Sequence, residues 1–347
     1  MNKSTGSMKV LAIDLAKHVF QAAGEDDRGV VVWEERIGSR DAFYALVQRL
    51  PPGLEVVMEA GSGAQAWARQ MQSRGLSVRL LPAQHVAEHR SGAKNDRNDA
   101  LALLRAGRDS AIHAVPIKSA ERLAMQAVHR TRSGYVRRRT SVSNQIRGLL
   151  LEHGVAMAKG NAPLVACLTR VLGDASVPLP ILLRELIAEL WAEWTHLGER
   201  IERLSAQVAS LVRSDPLAQR LMSIPGIGPI TASALVCKEL THERFADARQ
   251  FAASFGLVPD QHSSGGKTRL GDMSKRGDRY IRSLLIQGAH AVLVRVQPAE
   301  QDTEHDRLRR WVRQHGRKGA AIRLANRNLR IVWRLLRDDV PYCHEAR

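Results

Sequence analysis

Cysteine is scarce in this 347-residue chain: Cys167, Cys237 and Cys343 stand far apart and are odd in number. They form no CxxC metal knuckle and argue against a disulfide framework. Long apolar runs are missing too. No stretch approaches the length of a membrane span, and the apolar run after the polar residues 1–7 is too short for a signal peptide, so the expected location is the cytoplasm. Residues 1–7 add nothing to the first strand, and Met8 is an alternative start. His85 and His89, in HVAEH, lack both the HExxH order and a third ligand and read as ordinary helix-surface histidines. There is no internal repeat, no low-complexity linker and no Walker loop. Acid is also in short supply: 35 Asp and Glu against 52 Lys and Arg give a net charge of +17 and a pI near 10.6. That surplus implies a polyanionic partner. Nucleic acid fits better than an anionic membrane, because the charge is not gathered in one amphipathic helix or lipidation site.

With 44% hydrophobic residues, the chain has material for two or three domains with real cores. VLAID, HVFQAAG and VVVWEE read as three short strands with tight connections. A helix at 40–49, the buried strand LEVVME, a helix at 64–74, the strand SVRLL and a helix at 83–89 follow. The order βββαβαβα is that of the ribonuclease H fold. Asp14 ends the first strand and Glu59 the fourth, so both carboxylates are expected at one rim. Asp96 and Asp99, in KNDRNDA, are spaced i, i+3 at a helix start and can face the same rim. Four convergent carboxylates repel one another unless divalent cations sit between them, and two Mg2+ ions would answer that repulsion and polarise a phosphodiester. Helix capping by Asp96 and Asp99 and a solvated Glu59 remain the alternative.

A long helix over 119–153 carries Arg122, Arg130, Arg132, Arg137, Arg138, Arg139 and Arg147 with no acid between Glu121 and Glu152, which argues for phosphate contacts. After a Pro-rich break, Leu183, Ile187, Leu190, Trp194, Leu197, Ile201, Leu204, Val208 and Leu211 alternate steps of four and three, the seam of a coiled coil. A dimer-forming element is the reading preferred, with a helix packed within its own domain as the alternative that gives the same pattern. LMSIPGIGPITASALV resembles a helix-hairpin-helix, which can offer backbone N–H groups to a phosphate. QHSSGGKTRLGDMSKRGDRYIR then combines paired serines, a Gly-Gly pair and clustered cations, the composition of a phosphodiester-handling loop and equally of a basic surface loop. A basic tail over 307–337 has an apolar stripe at helical spacing and is expected to dock.

Taken in order, IDLAKHVFQ, MEAGSGAQAWA, KNDRNDA, VHRTRSGYVRRRTSVSNQIRGLL, IPGIGPITA, GLVPDQHSSGGKTRLGDMSKRGDRYIR and LANRNLRIVWRLL resemble transposases of insertion-sequence family 110, and most of all its subgroup 1111. The likeness is weakest over 155–180. It implies a ribonuclease H/RuvC-like domain over 1–115, a basic helical connector over 116–180, a coiled coil over 181–215, a mostly helical transposase domain with a serine loop over 216–305, and a basic helical tail over 306–347. It also implies a site-specific DNA recombinase. Its DEDD tetrad maps onto Asp14, Glu59, Asp96 and Asp99. Its serine nucleophile, which joins covalently to DNA phosphate, maps onto Ser264, with Ser263 and Ser274 as alternates. Lys267, Arg269, Lys275 and Arg276 would neutralise the scissile strand, and Arg279 and Arg282, near the start of the following helix, are further expected nucleic-acid contacts. The implied partners are donor and target double-stranded DNA, a structured bridge RNA and further copies of the chain, a dimer through the coiled coil and a tetramer beyond it. A weak nucleophile such as serine needs activation; His262 is the only imidazole near Ser264, and metal held by the tetrad could serve if the two domains meet. The rival readings are a metal-dependent nuclease or junction resolvase that uses water, and an architectural nucleic-acid-binding protein.

Overall fold

The computed structural model describes residues 8–91, 95–239, 241–262, 267, 269–296, 303–340 and 342. The chain divides into two compact units, Met1–Ala120 and Glu121–Arg347.

In the first unit, strands β1 (Val10–Leu15), β2 (Phe20–Glu25) and β3 (Val31–Ile37) form an antiparallel meander. Asp26 closes its second turn by accepting from the backbone N–H groups of Arg28 and Val30, at 3.0 and 2.9 Å. Parallel strands β4 (Glu55–Glu59) and β5 (Ser77–Leu81) complete the sheet in the order β3-β2-β1-β4-β5. The central strands are buried on both faces, and their alternation sorts side chains into two cores. Leu11, Ile13, Val56 and Met58 meet helices α1 (Arg40–Arg49) and α2 (Ala64–Gln72), where Phe43 stacks on Phe20 with ring centroids 4.2 Å apart. Ala12, Ala23, Val57 and Leu81 meet α3 (Ala83–Glu88) and α4 (Asp96–Arg108). Small residues let α4 lie close: a Cβ on Gly107 would fall 3.2 Å from Val57. This is the expected mixed sheet of the ribonuclease H type, covered by helices on both faces. The unit runs on to Ala120 because Gln65 bonds both the carbonyl of Pro116 and the N–H of Lys118, at 3.0 and 2.7 Å.

The second unit is mostly helical. α5 (Ala120–Leu151) and α7 (Ile181–Arg213) are its long members, and α6 (Asn161–Gly173), within the stretch read as a helical connector, joins them in one core. The seam of α7 is therefore largely filled from within the chain: Ile187, Leu190 and Leu197 are buried with Val142, Ile146, Leu164 and Leu168 of α5 and α6. The seam also ends out of step. Leu211 is exposed and Val212 is buried in its place, while Ile181 and Leu182 at the other end are more than three-quarters exposed.

Val208 and Val212 belong to a second core with α8 (Pro216–Met222), α9 (Pro229–Val236), α10 (Ala248–Ala253), α11 (Arg279–Arg295) and α12 (Thr303–Asp338). A short hairpin, β6 (Pro259–Gln261) with β7 (Leu270–Met273), stands between α10 and α11, and α12 is broken at Gly316, where φ is 67°. The IPGIG turn between α8 and α9 lies against α11 backbone to backbone, and Asn328 of α12 donates to the carbonyl of Pro225 at 2.8 Å. A Cβ on Gly288 would stand 1.9 Å from the carbonyl oxygen of Gly226. Gly288→Ala should therefore cost about 1–3 kcal/mol or more in urea denaturation despite its gain in helix propensity. Gly148→Ala in α5, where nothing lies within 4 Å, should instead stabilise by up to about 1 kcal/mol. Equal effects from the two substitutions would mean that the backbone contact does not govern stability.

Candidate active site and nucleic-acid interface

The carboxylates of the first unit are placed by strand register and helix packing. Ile13 pairs with Met58 across the parallel strands β1 and β4, so the next residues along, Asp14 and Glu59, are neighbours at the strands' C-terminal ends. Asn95 caps α4 by accepting from the N–H of Asn98 at 2.8 Å, which starts the helix so that Asp96 and Asp99 both fall in its first turn. Ala100, Leu103 and Leu104 then hold α4 on the sheet.

The charges of the four acids meet at Asp14. Its pKa rises from 3.8 to about 6, first through burial and then through repulsion by Asp99, Asp96 and Glu59, with Arg90 acting in the opposite sense. Arg90 is also the direct partner of Asp99, with Nε 2.5 Å from Oδ1. The cluster is an open one: among the described residues no three acids, histidines or cysteines are close enough to enclose a metal ion. The donor set nonetheless fits a hard divalent cation, since it offers carboxylate oxygens whose negative charge a single arginine leaves largely uncompensated. His85 and His89 take no part, each facing an acid of its own, Glu88 at 3.4 Å and Asp109 at 3.5 Å.

In the second unit Ser263 and Ser264 lie outside the described residues, which stop after β6 at His262 and resume with Lys267 and from Arg269 on. The backbone N–H of His262 donates to the carbonyl of Arg269 at 2.9 Å, and His262 Nε2 lies 3.4 Å from Asp260. Ser274 belongs to the neck of the hairpin, where its N–H donates to Val258 at 2.9 Å. Two glycines fasten that neck. A Cβ on Gly256 would stand 2.0 Å from the carbonyl oxygen of Arg276, and one on Gly277 would stand 1.9 Å from that of Ser254; both glycines have positive φ.

Arg282 corrects an expectation. Its guanidinium is buried and donates to the carbonyls of Phe255 and Arg276, at 3.0 and 3.2 Å, so it secures the same neck and faces no polyanion. Lys267, Arg269, Lys275, Arg276 and Arg279 are exposed.

The basic helix α5 divides in the same way. Arg130, Arg137 and Arg138 are exposed. Arg132 donates to Ser205 Oγ at 2.7 Å, Arg139 lies over the Trp194 ring at 5.5 Å, and Arg147 donates to the carbonyl of Gly160 at 2.6 Å, so these three join α5 to α7 and to the start of α6. A feature unseen in the sequence is His129, buried on α5 between Ser233 Oγ of α9 at 2.9 Å and the Tyr280 hydroxyl of α11 at 3.0 Å. Burial, and then Arg132, lowers its pKa from 6.5 to about 4, which keeps the imidazole neutral. Asp278 caps α11; burial pushes its carboxyl up, but Lys238 at 2.5 Å and the N–H groups of Ile281 and Tyr280 together hold it below the usual range.

Comparison with known proteins gives matches over both units. Residues 11–154 match the profile of a DEDD transposase domain, and residues 218–305 match that of the transposase IS116/IS110/IS902 family. A probable family 20 transposase of Pseudomonas aeruginosa is 43% identical over 96% of this chain and 98% of its own length. The transposase for insertion sequence element IS1111A of Coxiella burnetii is 35% identical over 98% and 93%. That for IS1328 of Yersinia enterocolitica is 35% identical over 94% and 96%. A DEDD transposase domain implies the use of a divalent metal.

Two measurements follow from the charges. In metal-free protein at pH 7.5, Asp14→Asn should raise the unfolding temperature of the first unit, by about 4 °C for each kcal/mol of repulsion relieved. Mg2+ should stabilise the native protein and leave the variant nearly unchanged; indifference of the native protein to Mg2+ would remove the metal assignment. For His129, the unfolded chain binds a proton near pH 6.5 that the folded chain refuses until about pH 4. Its contribution to stability is therefore complete above that window and lost as pH falls through it. The stability difference between the native protein and His129→Gln should narrow over the same range, and a constant difference would show that the imidazole is not held neutral.

Proposed function

This chain belongs to the IS110 family of transposases, and we propose that it cuts and rejoins DNA through a serine nucleophile and a magnesium-binding carboxylate tetrad, directed by a structured guide RNA. As a transposase it binds DNA and performs phosphoryl transfer on it. The observation that carries the finer reading is the convergence of four acidic charges on Asp14 in a protein of net charge +17.

Asp14, Glu59, Asp96 and Asp99 are the residues that would hold Mg2+, two ions per centre. When bound, the metal supplies Lewis-acid polarisation of the phosphodiester. Ser264 Oγ forms a bond to phosphorus as one ester bond to the sugar breaks, leaving a free sugar hydroxyl and a phosphoserine. Attack of a second sugar hydroxyl on that phosphoserine restores a diester and frees the serine, so rejoining needs no nucleotide hydrolysis. His262, two residues away in sequence, is the candidate to take the serine proton. Lys267, Arg269, Lys275, Arg276 and Arg279 neutralise the strand at the hairpin, and Arg130, Arg137 and Arg138 contact backbone phosphates farther along. Base pairing by the guide RNA would then choose the target, with the protein reading mainly backbone and shape. The oligomer is a dimer or a tetramer, joined through the start of α7, where Ile181, Leu182 and Leu186 are uncovered.

The test is to incubate purified protein with Mg2+, RNA from the flank of its element, and labelled donor and target DNA, then look for a protein–DNA adduct that survives denaturation. The adduct should vanish in Ser264→Ala and persist in Ser263→Ala. Free cleaved ends without an adduct would instead mean hydrolysis by water and a binding role for the hairpin.

A further inference from the structure

The second half of α12 carries a row of arginines that no step above uses. Arg323, Arg327, Arg330, Arg334 and Arg337 recur at steps of four, three, four and three. At roughly 100° per residue these steps keep all five within an arc of about 80°, spread along about 21 Å of helix. The opposite side of the helix is fully committed to the core: Leu324, Ala325, Asn328, Leu329, Val332 and Leu335 are buried. The row therefore cannot turn inward. Arg323, Arg330 and Arg334 are exposed, and among the described residues Arg323 and Arg330 enter no ion pair. Arg337 is engaged at the end of the row, paired with Asp338 at 2.5 Å and lying over the Trp333 ring at 4.8 Å.

A helix face that is merely solvated mixes both signs of charge, because unrelieved like charges at i, i+4 destabilise the helix. Here no acid occurs from Arg307 to Arg337. Repulsion along such a row is relieved when phosphates lie on it, and arginines about 5 Å apart along the axis approach the spacing of successive phosphates on one strand. The row is also held in place relative to the serine hairpin. Asn326, on the same helix, donates to the carbonyl of Leu257 at 3.0 Å, two residues before β6, and Asn328 donates to Pro225 in the turn that meets α11. Backbone bound on α12 is thus fixed relative to backbone entering the hairpin.

We propose that this row is a sequence-independent rail for a phosphodiester backbone, centred on Arg323, Arg330 and Arg334. It rests on the reading of the chain as a nucleic-acid-processing transposase. Neither the tetrad nor Ser264 contributes to it. Duplex DNA and structured RNA present the same phosphate chemistry, and the experiment separates them.

The test uses the full-length protein carrying Arg323→Gln, Arg330→Gln and Arg334→Gln together, in buffer free of divalent metal so that no chemistry intervenes. Affinity is measured against salt concentration for a duplex containing the element's end and, separately, for RNA transcribed from its flank. Each lost phosphate contact lowers the slope of log affinity against log salt by about 0.9 on B-DNA. The triple variant should therefore lose a slope of about 2–3 and roughly 100-fold in affinity near 0.15 M salt with the nucleic acid that uses the rail. The other nucleic acid should be little affected. Lysine at all three positions should restore the slope. Arg310→Gln, Arg313→Gln and Arg317→Gln, an equal loss of charge on the first half of α12, should not reproduce the effect. An unchanged slope for both ligands in a variant with native thermal stability would overturn the rail, as would an equal loss in the control triple. Failure of the native protein to bind either ligand would instead overturn the functional reading beneath it.

Discussion

Gathering like charges against their own repulsion is work that only packing can do, and the first unit is arranged around doing it. Asp14 and Glu59 are neighbours because β1 and β4 pair in parallel with Ile13 opposite Met58. Asp96 and Asp99 join them because Ala100, Leu103 and Leu104 hold α4 against Ala12, Val57 and Leu81. Each buried leucine contributes about 1.5–3 kcal/mol, enough in sum to keep four acids at one rim. The pKa of Asp14 is raised first by its burial and then by the repulsion of the other three acids, and Arg90 offsets only part of that rise.

The second unit meets a different demand, the placing of a short hairpin and several basic surfaces on a helical frame. It does so with close backbone contacts and buried polar ties. Gly226 with Gly288, Gly256 with Arg276, and Gly277 with Ser254 bring backbone onto backbone where a side chain would intervene. Arg282 and His129 then tie the junctions with hydrogen bonds to two carbonyls, a serine and a tyrosine hydroxyl. Arginine in this unit is divided between frame and surface: Arg132, Arg147 and Arg282 are spent on a serine or on carbonyls, while Arg130, Arg138 and Arg279 are exposed.

Much of this was legible in the sequence, for reasons that differ from element to element. The alternation in VLAID and LEVVME reports strands buried on both faces, and the order of elements then leaves one sheet topology, so Asp14 and Glu59 could be placed side by side without coordinates. Periodicity in α7 was equally clear, but it reports only that one face is covered. The cover turned out to include α6, whose buried Leu164, Cys167, Leu168 and Val171 stand at i, i+3, i+4 and i+7, a helix signal in the sequence itself. Composition likewise could not tell Arg282 from Arg279, three residues apart, since the difference is one of helix face and neighbouring carbonyls. The mapping of a nucleophile onto Ser264 rests on likeness to relatives; its position lies outside the described residues.

The two glycines at the neck of the hairpin have a consequence for how this protein can vary. A closure made of main chain against main chain is indifferent to what lies beyond it. Because both contacts are made by backbone atoms, side chains of the described strands β6 and β7 can be exchanged without loosening the neck that holds them. The neck itself is the part that cannot vary, since any residue with a Cβ at 256 or 277 would push main chain off main chain.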